Sequence, residues 1–449
     1  VAAARAALRW WLGGELPSVV GVRLAAGYFL PVVIADGGLA EGETWVSVIK
    51  DGGDDPDVTH KAEIRVHLRC LSREPGGIGD GRTPGGADSC EGAGSHVPYP
   101  VICMIAGHGV GLVTKPGLPV QPGEPAINPG PRGMMARNLR EEIERFSSEG
   151  RLAGLRFHSA SPWKPPAVPH ILIGCDNSPL EGGIVARHGS GLKRGGSLSA
   201  PSNMAIPGGA PWHPVHGDTR LIGSDRRGWV VEVEIEVPEG ERLARHTLNP
   251  RLGILGGISI LGTTGLVRPF SHEAYEETIQ AELSVARSNG CETVVLSTGG
   301  KSEHYAQQLF DTWPGEAFVQ IADFFAFSVR EARRMGCTTV VHSVFFGKAV
   351  KMAQGLEYTH AHKNRMDLGP LAALCRAAGC PGRMCREIEH ANTARQALDL
   401  LLAENASDLV RAVADGAADA SYRIAEESMS IRLLLFNYDG RLLADVTRP

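Results

Sequence analysis

Apolar and polar positions repeat with two different periods along this chain, and the change from one to the other divides it. Ile64, Val66 and Leu68 alternate with Arg65, His67 and Arg69, and Val231, Val233, Ile235 and Val237 alternate with Glu232, Glu234 and Glu236. A period of two with one wet face predicts half-buried strands over 62–68 and 230–237, the second of them antiparallel. Shorter apolar runs predict strands at 19–24, 30–34, 45–50, 101–106, 110–114 and 170–175. An Ala-rich opening with Leu8, Trp11 and Leu12 predicts a helix over 2–12, stopped by Gly13-Gly14. A second helix is predicted over 134–146, with Arg137, Arg140, Glu141, Glu142 and Glu144 on its wetter side.

Beyond Asn249 strands and helices take turns. Strands are predicted at 293–297, 317–321 and 338–345, and helices at 273–288, 303–310, 326–335, 347–354 and 371–378. Such alternation predicts a parallel α/β domain. The tail carries helices at 393–403 and 409–429, then a hairpin, 431–436 with 441–444, closed by Asp439-Gly440. The expected architecture is an α+β domain over 1–250 with loop-rich insertions at about 72–100 and 150–225. An α/β domain with a mostly parallel sheet follows over 251–392. The last piece, 393–449, is expected to pack back on the N-terminal domain. A chain of 449 residues is long enough for this division.

Composition narrows the function. An apolar fraction of 43% and a charged fraction of 21% describe a globular protein. The formal net charge of −5 and the lack of any long Lys/Arg cluster argue against a nucleic-acid partner. Apolar runs are short and broken, so neither a membrane span nor a signal peptide is expected, and a cytoplasmic protein is. The nine cysteines, at 70, 90, 103, 175, 291, 337, 375, 380 and 385, form no Cys-x-x-Cys pair. They read as reduced thiols, and the five-residue steps of Cys375, Cys380 and Cys385 do not suit a metal cluster. His213 and His216 have a spacing that fits a ligand pair, but no cysteine pair completes four ligands, so no metal is expected. The 150–225 segment suits a lid or an intersubunit loop, and a homo-oligomer is among the expected assemblies.

Chemistry concentrates in three loops. Residues 249–269 read Asn-Pro-Arg-Leu-Gly-Ile-Leu-Gly-Gly-Ile-Ser-Ile-Leu-Gly-Thr-Thr-Gly-Leu-Val-Arg-Pro. A core strand does not need that many glycines, and a surface loop does not need that many isoleucines and leucines. The mixture suits either backbone passing close to a ligand or a buried strand followed by a Gly-rich turn. Residues 50–60, Lys-Asp-Gly-Gly-Asp-Asp-Pro-Asp-Val-Thr-His, and the Gly- and Pro-rich stretch 107–132 are equally dense. Three such loops favour a bound small molecule.

These loops carry a resemblance. Val48–His60, Gly109-Val-Gly-Leu-Val-Thr-Lys-Pro-Gly-Leu118, Glu124-Pro-Ala-Ile-Asn-Pro129 and 249–269 together resemble the CbiD family, the cobalt-precorrin-5B C1-methyltransferases of the oxygen-independent cobalamin pathway. The likeness runs from the first helix to the final hairpin, outside the two insertions. It implies an α+β domain joined to an α/β domain, unlike the common tetrapyrrole methyltransferase fold. It also implies S-adenosylmethionine as cofactor and a cobalt-containing contracted tetrapyrrole as substrate, methylated at C1 to cobalt-precorrin-6A. The family's Thr-Thr-Gly-x-Cys-Ala opening precedes the first helix, whereas this sequence starts within that helix. A family loop of the form Gly-His-x-Gly-Lys reads here Val344-Phe345-Phe346-Gly347-Lys348, and the usual Asn at one helix start is Asp323.

Seen this way, the residues take candidate roles. Lys115, Arg132, Arg251, Arg268 and Lys348 sit beside Gly or Pro loops and could bind the macrocycle's carboxylates. His360, retained with Thr359, joins them. Asp54, Asp55 and His60 could remove a proton after methyl transfer; the same acidic loop could be a cation site or a structural Asp-Pro turn. For the cofactor, Gly256, Gly257, Ser259, Gly262, Thr263, Thr264 and Gly265 come first, and Thr298 and Gly299, after a predicted parallel strand, come second. Two other classes stay open. One is a non-catalytic tetrapyrrole carrier, suggested by the change at Val344-Phe345. The other is a metal-dependent hydrolase using the Asp-rich loop.

Overall fold

A computed structural model describes residues 1–40, 42–55, 57–72, 100–152, 166–173, 229–262, 264–267, 271–360 and 366–449. It forms two compact units whose segments interleave along the chain, rather than dividing at residue 250. The first draws on 1–48, 65–107 and 133–236, and the second on 49–64, 108–132 and 237–449.

In the first unit a six-stranded mixed sheet runs in the order Asp36–Ala40, Glu43–Ile49, Glu63–Ser72, Trp229–Glu236, Val101–Ala106, His170–Ile173. Trp229–Glu236 is antiparallel to Glu63–Ser72, as its alternation predicts, but parallel to Val101–Ala106 on its other side. Glu232 is buried, so this strand lacks the fully wet face that its glutamates suggest. Asp36–Ala40 has no sequence signal because Asp36-Gly37-Gly38 reads as a turn. Gly38 lies opposite Trp45, and a Cβ there would fall 2.3 Å from the indole nitrogen, so the glycine makes room for that ring. Helix Ala2–Gly13 buries Ala3, Ala4, Ala6, Ala7 and Leu8 and ends on Gly14 at φ 81°.

Helix Pro129–Ser148 starts five residues earlier than the apolar period suggests, because its first turn is Pro-Gly-Pro-Arg. Glu142 is not on its wet side. It is fully buried and accepts hydrogen bonds from Arg5 at 2.7 Å and Arg9 at 2.6 Å. Burial pushes its carboxyl up, and the two guanidinium groups outweigh that and hold it below the ordinary value.

The second unit is built on a five-stranded sheet, ordered Phe318–Gln320, Thr293–Ser297, Thr339–Phe345, Ser430–Phe436, Leu442–Arg448. Neighbours are parallel except for the last pair, so the mostly parallel sheet is present. The C-terminal hairpin does not leave for the N-terminal unit. Ser430–Phe436 pairs in parallel with Thr339–Phe345 over seven residues, and its apolar side chains Ile431, Leu433 and Leu435 belong to the α/β core. Helix Ser407–Ile424 lies in the same core through Ala414, Ala417 and Ala418. Helix Gly382–Glu389 is an addition to the elements that the sequence predicts.

Candidate active site

Two of the three dense loops meet. Gly109–Val110 pairs in parallel with Gly257–Ile258, and Leu112–Val113 pairs antiparallel with Ile254–Leu255. Ile127 bridges Ile260. The 249–269 run is therefore neither a single core strand nor a free loop. Its glycines have different causes. A Cβ on Gly257 would lie 2.1 Å from the Gly109 carbonyl oxygen, and one on Gly109 would lie 2.0 Å from that of Val237. These glycines serve backbone contact, not ligand approach. Gly256 (φ +79°) and Gly262 (φ +117°) have nothing within 4 Å of a Cβ. Gly256 borders a hollow of about 250 Å³ with Gly257, Arg245 and Glu241. Leu255, Leu261, Leu266 and Val267 expose their side chains. Ser259 donates to Asn249 at 3.3 Å, and Thr264 turns back on Leu266. Gly265 has φ +81°. Thr263 and Arg268 lie outside the described residues, as do His213, His216, Cys90 and Cys175.

The parallel sheet supplies a second crevice. The chain visits Thr293–Ser297, then Phe318–Gln320 on one side, then Thr339–Phe345 on the other. Strand order reverses between the first and third of these, and ligands of open α/β sheets collect at the C-terminal ends beside such a reversal. The loops there are Thr298-Gly299 and Phe346-Gly347-Lys348. Thr298 Oγ1 is 3.5 Å from Ser302 Oγ. Phe345 stacks on Tyr438 at 4.8 Å, with Arg395 over the tyrosine ring.

The described candidates Lys115, Arg132, Arg251 and Lys348 are each engaged by an internal carboxylate. Lys115 pairs with Glu316, and Arg132 pairs with Glu124 at 2.9 Å while also donating to the Ile127 carbonyl. Arg251 has three partners: Glu303 at 2.9 Å, Glu282 at 3.3 Å and the Phe318 carbonyl at 2.7 Å. Lys348 pairs with Asp323 and lies 3.3 Å from Thr359 Oγ1. Burial, then the neighbouring Lys351 charge, pull Lys348 down to about 8. Lys351 donates to the Thr359 and His360 carbonyls at 3.0 Å each, and so fixes His360, whose ring stacks on Tyr358 at 5.9 Å. A ligand carboxylate must share or displace a partner at each of these cations.

In the acidic loop Asp54 is exposed and Asp55 half-buried. Asp57 is held by Lys50 and Thr59. The Gly52 N–H donates to His60 Nδ1 at 2.9 Å. Neutral His60 therefore carries its proton on Nε2 and presents a donor rather than a base. Among the described residues no group of three or more His, Cys, Asp and Glu side chains could hold a metal ion. No described helix is long and apolar enough to cross a membrane.

A CbiD family model matches residues 1–153 and 191–269, and a model of the CbiD C-terminal domain matches 358–447. The chain belongs to the CbiD family. A cobalt-precorrin-5B C(1)-methyltransferase from Nitratidesulfovibrio vulgaris is 35% identical over 96% of this chain and 84% of that one. The relative so named from Thermus thermophilus is 34% identical over 90% and 80%, and that from Geobacillus kaustophilus 32% over 98% and 91%. A crystal structure of cobalamin biosynthesis protein (cbiD) from Archaeoglobus fulgidus is 19% identical over 78% of this chain and 75% of that chain, with a TM-score of 0.28. The CbiD matches take in the acidic loop, both paired glycine loops and His360. Thr298, Gly299 and Lys348 fall between the two matched stretches.

Sequence reasoning missed the buried partners. Glu282 and Glu303 lie in separate helices and converge on Arg251, and Gln320 donates to Glu303, which no local pattern announces.

Proposed function

We propose that this chain transfers the methyl group of S-adenosylmethionine to C1 of cobalt-precorrin-5B, giving cobalt-precorrin-6A in the oxygen-independent route to cobalamin, and that it does so in the cytoplasm. The observation that carries the reading is near-full-length likeness, at 32–35% identity, to relatives bearing that activity as their name.

The site chemistry supports it. The substrate is a broad, flat, polycarboxylated ring. Exposed Leu255, Leu261, Leu266 and Val267 offer apolar contact beside the glycine loops. Lys115, Arg132, Lys348 and Arg268, with His360, remain the residues proposed for its carboxylates. Arg251 is reassigned from ligand contact to holding the loop in place, since its guanidinium already has three partners. The donor, when bound, supplies an activated methyl on a sulfonium. The residues proposed to hold it are Gly256, Gly262 to Gly265, Thr298 and Gly299. The second group fits, because a Cβ on Gly299 would meet nothing within 4 Å and the buried Ser297 hydroxyl beside it has no hydrogen-bond partner among the described residues. The protein's part is alignment and exclusion of water. Asp55, half-buried, is the first proposed base and Asp54 the second, with His60 donating through Nε2.

Single turnover with S-adenosylmethionine and the cobalt-precorrin, followed by mass spectrometry, tests this. One added methyl group is expected. Asp55→Asn should slow turnover about tenfold or more with the melting temperature unchanged. Tight binding of the tetrapyrrole without turnover would replace the enzyme by a carrier.

A further inference from the structure

Two loops compete for the methyl donor, and packing at the C-terminal edge of the parallel sheet separates them. We propose that the N-terminus of helix Gly300–Leu309 is a carboxylate-binding site. It is formed by the N–H groups of Gly300, Lys301 and Ser302 with the hydroxyl of Ser297. The proposal rests on the methyltransferase reading above. The carboxylate is that of the donor's amino-acid end or one of the macrocycle's side arms.

Three observations converge. Gly299, the residue capping this ten-residue helix, offers no side-chain cap, and among the described residues the first turn's N–H groups have no partner until Glu303 donates to the Gly299 carbonyl at 3.0 Å. Such a set of donors, at the positive end of the helix dipole, favours an anion. Space is open, since a Cβ on Gly299 meets nothing and one on Gly300 meets only Gln320 Nε2 at 3.8 Å.

The second observation is Ser297. It is fully buried, and its Oγ has no partner among the described residues. Its register partner is Ser343, whose Oγ donates to the Ser302 carbonyl at 2.6 Å. Paired residues of parallel strands share a face, so the Ser297 hydroxyl is aimed at the same first turn. A buried hydroxyl left unpaired is costly, and a ligand oxygen would satisfy it. The third observation is position: this turn opens at the strand-order reversal.

Glu303 in the first turn carries an opposing charge. Its carboxylate is committed to Arg251 at 2.9 Å and to Gln307 and Gln320, while Lys301 and His304 are exposed nearby.

The test is Gly299→Asp in the full chain. The native φ of 165° is extended backbone that any residue adopts. An aspartate there caps the helix and places its own carboxylate where the ligand's would lie. The melting temperature should stay the same or rise. Affinity for S-adenosylhomocysteine should fall at least about tenfold. Affinity for 5′-methylthioadenosine, which lacks the amino-acid carboxylate, should stay within about twofold. Ser297→Ala should weaken S-adenosylhomocysteine binding about threefold to tenfold, without a lower melting temperature. If Gly299→Asp instead weakens only binding of a cobalt corrinoid polycarboxylate, the site stands and its carboxylate is the macrocycle's. Unchanged binding of both ligands by both folded variants overturns the site. Wild-type protein that binds neither ligand overturns the methyltransferase reading and this site with it.

Discussion

Two glycine loops of the second unit look alike in sequence and differ in cause. In the 253–257 loop Gly257 is there because backbones touch: its missing Cβ leaves room for the Gly109 carbonyl 2.1 Å away. In the 297–300 loop nothing stands within 4 Å of the missing Cβ of Gly299. Glycine density therefore marks close approach but does not say of what. Where the approaching group is the chain's own backbone, the glycine belongs to the fold. Where space is open beside unpaired donors, it is available to a ligand.

The largest difference should come from Gly109. Its φ is +73°, and a Cβ would lie 2.0 Å from the Val237 carbonyl and 3.0 Å from Gly240. Backbone cannot move aside as a side chain can. Left-handed strain and overpacking add. Gly109→Ala should cost about 3 kcal/mol or more, read by urea denaturation. A loss below about 1 kcal/mol would mean that the strand pair relaxes and that the contact is not obligatory.

Arg251 ties the two loops together, which makes it the next test. It reaches from the 249–257 loop to Glu303 in the helix that follows Gly299, and to Glu282. Arg251→Ala strands two buried carboxylates, at roughly 3 kcal/mol. Protonation of Glu282 keeps the cost from being larger. If instead stability is intact and only tetrapyrrole binding is lost, Arg251 returns to the substrate.

Glu282 makes the same cluster sensitive to pH. Burial pushes its carboxyl from 4.5 up to about 7, against the pull of Arg251 and the Gln320 N–H, with Glu303 adding to the rise. A value raised on folding means that the native state binds the extra proton. Its stabilising effect is complete below about 4.5 and is lost as pH rises through about 7, by about 3 kcal/mol. His342, buried and pulled down to about 3, acts in the opposite sense as pH falls below 6.5. The quantity to measure is therefore the difference between wild type and Glu282→Gln. That difference should narrow steadily as pH falls from 7 to 5. A constant difference would remove Glu282 as the source.

Regular elements were legible because their signals are local. Period two at 64–68 and alternating strands and helices after 249 needed no tertiary information. The parallel sheet followed from them. What was not legible depends on partners far away in sequence. The hairpin's apolar strand, Ile431 to Phe436, would pack on any sheet, and only pairing with Thr339–Phe345 decides which. Glu142 looks like a surface glutamate until Arg5 and Arg9 arrive from another helix. At the proposed site, both glycine loops and the candidate cations were chosen from residue type. Their engagement was not, because Glu316, Glu124 and Asp323 are ordinary acidic residues in sequence and become partners only in the fold.

The smallest effect expected is the most informative about the second loop. Gly299→Ala adds a methyl into open space. Alanine is a slightly poorer cap than glycine, a loss of a few tenths of a kcal/mol. It also has fewer unfolded conformations, which returns about 0.4–1 kcal/mol. These nearly cancel, so stability should move by less than about 0.5 kcal/mol, where Gly109→Ala loses several times that. Both are single methyl additions at glycines, so composition is held constant and only backbone conformation and surroundings differ. Urea denaturation of the two variants side by side reads the contrast directly. Equal losses would mean that the 297–300 loop is packed as tightly as the 109–257 pair, leaving no room there for a ligand.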